Sequence, residues 1–284
     1  SYYQIRIYIF WIRKILKAWQ MNYSSKKGYV TVAIGSEYVK CATLLASSLK
    51  KTQKDINHIT LITNSNDVNE KYFDNIIKID DTDPWNVISN LINYTLYDET
   101  LYIESDMLIT QDLDNWWTRF DNKKMAVTQQ VRDHKNSIYT GKLYRRFFIE
   151  NNLPNIYSGI FYFKKDNTTK LIFDIWNYFT TNWDTLKNDF KFNIYNELPA
   201  DEGLAIAIRN SGEMNQIINP NYCYPSFIHC KPDVLNIVTS EWINQISLNI
   251  TEEFEFKLGY HNVLWPIHYQ IKDIPNLDIV KVLE

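Results

Sequence analysis

Short apolar runs alternating with amphipathic stretches constrain this chain more than any other feature. Tyr29-Val30-Thr31-Val32-Ala33-Ile34 reads as a buried strand. The spacing of Tyr38, Cys41, Leu44, Leu45 and Leu49 then predicts a helix over 37–51. Further short strands are expected at 59–63, 76–79 and 100–103, with a helical stretch near 85–94 between the last two. Strands alternating with helices at this spacing predict an α/β fold, its mixed and mostly parallel sheet flanked by helices on both faces. Ligands of such sheets bind beyond the carboxyl ends of the strands. No internal repeat or low-complexity linker interrupts the pattern, so residues 28–284 read as one domain, preceded by a distinct segment over 1–27.

That segment places Ile5, Tyr8, Ile9, Ile12, Ile15, Leu16 and Trp19 near helical spacing, with Arg6, Arg13, Lys14 and Lys17 among them. The charges exclude a transmembrane span, and the absence of an unbroken apolar region fits poorly with a signal peptide. Two readings stay open: a helix packed on the body, or a basic amphipathic helix making peripheral contact with an anionic membrane. Three cysteines, Cys41, Cys223 and Cys230, form no paired framework, which fits a reducing, cytoplasmic setting. Cys223, His229 and Cys230 fall short of the four ligands of a structural zinc site. A formal net charge of -3 argues against a protein whose affinity rests on nucleic acid phosphates. Only seven glycines are present, with no GxGxxG and no GxxxxGK[ST], so a glycine-loop nucleotide site is not expected.

The chemistry concentrates at the end of the strand expected over 100–103. Glu104-Ser105-Asp106 sets two carboxylates inside the apolar run from Leu101 to Ile109. Ionised groups buried there cost several kcal/mol each unless a cation compensates. Positions i and i+2 of an extended segment share a face, so both carboxylates can converge on one ligand. Hard oxygen donors of this kind suit Mg²⁺ or Mn²⁺ shared with phosphate oxygens.

The triplet is one of six signals that occur in order. Val30-Thr31-Val32-Ala33-Ile34-Gly35-Ser36-Glu37-Tyr38-Val39-Lys40, continuing through Ala42, Leu44, Ser47, Ser48 and Leu49, resembles the opening of the glycogenin-type family 8 glycosyltransferases, which have the GT-A fold. Tyr102-Ile103-Glu104-Ser105-Asp106 resembles that family's Asp-x-Asp strand, and Asp112-Leu113-Asp114 its following acidic segment. Ser158-Gly159-Ile160-Phe161-Tyr162-Phe163 is similar to its Asn-Ser-Gly strand, and Asp201-Glu202-Gly203-Leu204 to its Asp-Gln-x-x-Leu element. His268-Tyr269-Gln270-Ile271-Lys272 is similar to its closing His-x-x-x-Lys. The departures are Glu104 for Asp, Tyr157 for the Asn before Ser-Gly, Glu202 for Gln, Gly35 for a polar residue, and Gln270-Ile271 where a glycine is usual. No clear arginine stands on the helix before the metal motif, where many members carry a sugar-binding cation.

The resemblance implies a Rossmann-like GT-A domain that moves a hexose-type sugar from a UDP-sugar, with retention and with Mn²⁺ or Mg²⁺ as cofactor. It implies metal ligation by Glu104, Asp106 and His268, and neutralisation of the leaving diphosphate by Lys272. Ala33, Gly35 and Ser36 would lie along the base and ribose, with Tyr38 against the uracil ring. Asp201 and Glu202 would sit below the anomeric carbon. Plainer readings stand beside these: His268 and Tyr38 as core residues, Lys272 as a solvated lysine, and Asp201 as the cap of a helix over 202–209. The acceptor implied is a glycan, a lipid-linked sugar or a protein, with nucleic acid less expected. Arg132, Lys135, Lys142, Arg145 and Arg146, interleaved with Tyr139, Tyr144, Phe147 and Phe148, read as a solvated helix face ahead of an acceptor patch. Two rival functions are a catalytically silent GT-A fold that binds nucleotide sugar or glycan, and a transferase acting on a DNA base.

Overall fold

Alternation along the first strand divides the core in two. The computed structural model describes residues 27–56, 58–141, 145–192, 195–219, 221, 223–238 and 241–283. Apart from Lys27, the amphipathic segment and both of its readings lie outside these, as do Lys142 and Tyr144. In chain order the main elements begin with β1 (Lys27–Ala33), α1 (Ser36–Thr52), β2 (Ile59–Thr63), β3 (Asn75–Lys78), α2 (Pro84–Ser89) and β4 (Glu99–Ile103). Next come β5 (Met107–Leu108), β6 (Met125–Thr128), β7 (Gln130–Arg132), β8 (Tyr157–Lys164), α3 (Asn167–Thr181) and α4 (Ala200–Ser211). The chain closes with β9 (Ser226–His229), β10 (Leu248–Ile250), β11 (Phe256–Leu258), β12 (His261–Asn262) and β13 (Ile267–His268).

Six strands form the central sheet in the order β3-β2-β1-β4-β8-β6. The first four are parallel, and β8 runs antiparallel to both β4 and β6. Side chains two apart share a face. Val30 and Val32 of β1, Tyr102 of β4, and Phe161 and Phe163 of β8 therefore pack with α3 and α4. Tyr29 and Ala33, Leu101 and Ile103, and Ile160 and Tyr162 point to the other side, where α1 and the Asp114–Phe120 helix cover them. The mixed, mostly parallel α/β sheet covered on both faces is the architecture that the alternation predicts.

The helical stretch expected near 85–94 divides at Asn90. Asp83 accepts from the Trp85 N–H and Pro84 opens α2, which ends where the Asn90 N–H turns back to Val87 and Ile88. Leu91–Tyr94 then forms a separate turn. Much of the aromatic content fills the core: Trp116, Trp117, Trp176, Tyr29, Tyr102, Phe161 and Phe163 are among side chains less than 2% exposed. Among the described residues no helix is long and apolar enough to cross a membrane.

A second sheet, in the order β5-β13-β9-β7, lies beyond the end of β4 and gathers distant parts of the chain. Met107 pairs with His268 across antiparallel β5 and β13, and His268 pairs with His229 across parallel β13 and β9. The Tyr269 N–H donates to the Asp106 carbonyl at 3.1 Å. A change of register here would carry His268 away from Asp106.

The contact of α4 with α3 depends on Gly203. A Cβ there would lie 2.4 Å from Nε1 of Trp176, whose ring stacks on Phe173 at 5.8 Å and is fully buried. Alanine would add about 1 kcal/mol of helix propensity, whereas overpacking a filled core costs about 1–3 kcal/mol. Gly203→Ala is therefore expected to lower the unfolding free energy in urea titration, with an unchanged slope.

Candidate active site

The strand end that the sequence marks out becomes a cluster of two carboxylates and an imidazole. β4 stops at Ile103, and the Glu104 N–H donates to the Gly159 carbonyl at 2.9 Å. The β5–β13 pairing then sets His268 Nε2 3.4 Å from Glu104 Oε2 and 3.3 Å from Asp106 Oδ2. One ligand atom from each residue falls within 4.8 Å of the other two. His268 is thus no bland core histidine, since its ring nitrogen faces two acids. Burial opposes ionisation of Asp106, but His268 and Lys272 outweigh it and hold the carboxyl below its ordinary range. Burial lowers the affinity of His268 for its proton, and Asp106 and then Glu104 more than restore it. Glu104 is pushed up to about 7 by burial and by the negative charge of Asp106. Hard oxygens joined by one imidazole nitrogen fit Mn²⁺ well and Mg²⁺ less well.

A cavity of about 580 Å³ opens over this cluster. Lys272 crosses its edge, donating to Asp106 Oδ2 and lying 4.7 Å from the centroid of the Tyr38 ring. Lys272 is paired rather than simply solvated, and Asp106 raises its pKa despite burial, which acts the other way. Tyr38 is 43% exposed and lines the cavity, so it is not a core aromatic. Ala33, Gly35 and Ser36 are not among the lining residues; Val32 and Ile34 are. The alternation of β1 sends Ala33 to the opposite core, while Ser36 borders a smaller cavity of about 240 Å³ behind α1. Gly35 takes φ 86°, a region that favours glycine, and its N–H donates to Asn64 Oδ1. Gln270, where a glycine is usual in the family resembled, also adopts a left-handed φ of 59° and lines the cavity.

Asp201 and Glu202 enter the same cavity from the first turn of α4. Asp201 does not cap that helix: α4 begins one residue before it, with Pro199 at the cap position and no side-chain cap bond. Its Oδ1 instead accepts from the Ser158 N–H at 2.6 Å and the Ser158 hydroxyl at 2.8 Å, and its Oδ2 from Arg145 Nη1 at 2.7 Å. Burial disfavours the Asp201 charge, but Arg145 and then Ser158 prevail and lower its pKa. Glu202 Oε1 accepts from the Tyr195 hydroxyl at 2.9 Å. Burial and then Asp201 push the Glu202 carboxyl up to about 7.

Arg145 corrects the solvated-face reading of the basic stretch. It is 4% exposed, its guanidinium lies 3.8 Å from the Phe148 ring and 4.3 Å from the Tyr157 ring, and its Nε donates to Asn155 Oδ1. Arg132 lies over Trp265 at 4.3 Å, and Arg146 pairs with Glu150 at 3.2 Å. Cavity residues that sequence reasoning missed are Arg145, Tyr195, Trp85, Lys231 and, as a site residue outside zinc, His229. The three cysteines are free thiols. His229 is buried, and its Nδ1 meets His268 Nδ1 at 3.1 Å. Burial and then the neighbouring His268 depress its pKa well below the ordinary value, so its ring is uncharged at pH 7.

No family model and no curated protein matches this sequence. Among solved structures, the chain is similar to mouse xyloside xylosyltransferase 1 at 10% identity and a TM-score of 0.48, covering 86% of this chain and 97% of that one. It is similar to the glycosyltransferase GlyE of Streptococcus pneumoniae at 12% identity and a TM-score of 0.44, over 72% of this chain. That alignment spans 45% of GlyE, less than half its length. The galactosyltransferase LgtC, solved in complex with donor and acceptor sugar analogs, aligns at 12% identity and a TM-score of 0.43 over 64% of this chain and 70% of its own. These likenesses are distant.

The raised Glu202 pKa has a stability consequence with a definite sign. A carboxyl lifted from 4.5 to about 7 on folding favours the folded state while protonated. That contribution is full below pH 4.5 and is lost as pH rises through 7. Glutamine mimics the protonated form, so Glu202→Gln is expected to raise Tm over wild type at pH 8 and to leave it unchanged at pH 4. Scanning calorimetry across pH 4–8 checks this.

Proposed function

We propose that this protein is a metal-dependent glycosyltransferase that moves a hexose-type sugar from a UDP-sugar to a glycan, lipid-linked or protein acceptor, with retention. The observation that carries the reading is the convergence of Glu104, Asp106 and His268 at the wall of a cavity that also holds Asp201 and Glu202. The family resemblance in the sequence supports the same assignment. A silent sugar-binding fold has less support, because two ionisable carboxylate pairs and three cationic side chains would then be kept in one cavity without use.

In this reading Glu104, Asp106 and His268 hold Mn²⁺, which when bound neutralises charge on the diphosphate leaving group. Lys272 offers its ammonium to the same diphosphate, a term that grows as the sugar–oxygen bond lengthens. Tyr38, at the cavity edge beside Lys272, supplies a face for the uracil ring. Asp201, fixed by three donors, is a rigid anchor for the sugar and keeps a negative charge near the anomeric carbon. Glu202 presents a second carboxylate there, and its ionised form stabilises oxocarbenium-like charge. The hydroxyl of Tyr195 orients that carboxylate.

Saturation with Mn²⁺ at about a hundred times its dissociation constant is expected to stabilise the protein by about 2.7 kcal/mol, read as a rise in Tm. Asp106→Asn removes a charged ligand and should abolish both the rise and the Mn²⁺-dependent hydrolysis of UDP-sugars. Wild-type protein that shows neither a Tm rise nor turnover with any common UDP-sugar would sink the reading.

A further inference from the structure

His229 has a place in the site that the reaction described so far does not use. It is 3% exposed, pairs in register with His268 across β9 and β13, and lines the cavity. Its ring meets Tyr157 and Phe227 edge-on, at centroid distances of 5.9 and 5.5 Å. The Nδ1 atoms of the two histidines are 3.1 Å apart, yet Nε2 of His229 is buried without a hydrogen-bond partner. Buried polar atoms are nearly always paired, so an orphan on a residue that lines the cavity points to a partner that a ligand provides.

The polarity of the pair follows from His268. Two ring nitrogens at hydrogen-bond distance hold one proton between them. Nε2 of His268 faces Asp106 and Glu104 and is the nitrogen available for a metal ion. An imidazole that ligates through Nε2 carries its proton on Nδ1 and donates it to an outer partner. That partner is His229 Nδ1, which must accept. With Nδ1 accepting, the His229 ring carries its proton on Nε2. A carbonyl or carboxylate in this position would orient His268 equally well, but would give the cavity no donor.

We propose that His229 holds His268 in its metal-binding orientation through the Nδ1–Nδ1 hydrogen bond and, by the tautomer this bond imposes, presents Nε2–H to an oxygen of the donor substrate, on its diphosphate or its sugar. The proposal rests on the metal-dependent reading above. His229 is a positioning residue toward the metal and a binding residue toward the nucleotide sugar.

Two variants separate these roles. In His229→Asn the amide oxygen stands near Nδ1 and still accepts from His268, but nothing reaches the Nε2 position. In His229→Gln the amide nitrogen reaches the Nε2 position, but the acceptor for His268 is lost. Mn²⁺ affinity, measured by electron paramagnetic resonance of the free ion, is expected to fall about 10- to 100-fold in His229→Gln. It should stay near wild type in His229→Asn. At saturating Mn²⁺, calorimetric affinity for UDP-glucose should fall about tenfold in His229→Asn, the worth of one hydrogen bond. Loss of UDP affinity as well assigns the oxygen to the diphosphate, whereas loss confined to UDP-glucose assigns it to the sugar.

Nitrogen-15 spectra of histidine-labelled wild type with Mg²⁺ give a readout that needs no variant to fold: His229 should be protonated on Nε2 and bare on Nδ1. The opposite tautomer, or Mn²⁺ and UDP-glucose affinities unchanged in both variants, overturns the proposal. Undiminished Mn²⁺ binding by Asp106→Asn would instead overturn the metal-site reading beneath it, so the two failures are distinguishable.

Discussion

Asp106 and Asp201 stay ionised in one cavity because a cation is held against each, and the rest of the site depends on those two pairings. His268 and Lys272 compensate Asp106, and Arg145 compensates Asp201. Breaking such a pair by removing one partner costs about 3–5 kcal/mol, since the surviving charge is left uncompensated. The compensation is specific to its target. Glu104 and Glu202 lie beside the compensated acids, feel both burial and the fixed negative charge, and are lifted to about 7. Each pair thus consists of one locked carboxylate and one poised between its two forms, a division of the kind that lets two acids take different roles.

One dipeptide on β8 ties the two pairs together. The Ser158 N–H and hydroxyl both donate to Asp201, while the Gly159 carbonyl accepts from the Glu104 N–H. Gly159 is closely packed: a Cβ would lie 2.7 Å from the Met107 Cε, 3.1 Å from the Phe227 Cζ and 3.2 Å from Glu104 Oε2, so these side chains would have to give way. The Ser-Gly strand therefore sets the spacing between the acids at the end of β4 and those at the start of α4. Neither pair can shift without the central sheet.

The sequence made legible what depends on short-range pattern. Short apolar runs marked β1, β2 and β4, and the carboxylates of Glu104-Ser105-Asp106 stood out against such a run. The pleat of such a strand sends Ala33 away from Val32 and Ile34, a point the family resemblance overrode. Arg145 was illegible because its burial has no local cause. It is one cation among several in its stretch, and the Tyr157 ring and Asp201 carboxylate that enclose it arrive from β8 and α4. The plainer reading of Asp201 as a cap rested on the turn-like Leu198-Pro199-Ala200, but α4 starts at Ala200 and the Asp201 side chain crosses to β8. His229 was hidden for a similar reason, since only the register of β9 on β13 reveals its partner.

The pairing of Lys272 with Asp106 bears on how the proposed cofactor and donor would enter. Oδ2 of Asp106 faces both Lys272 Nζ and His268 Nε2, so its charge is balanced by the protein's own cations. Asp106 is therefore not an uncompensated acid, and binding a dication there would be an exchange with the lysine ammonium. That exchange is least costly when the displaced ammonium has another anion to meet. A diphosphate arriving with the ion supplies one, while Tyr38, 4.7 Å from Nζ, keeps the lysine near the cavity edge. Metal and nucleotide would then bind with positive coupling, each lowering the cost of the other, and the ammonium would finish against the leaving group.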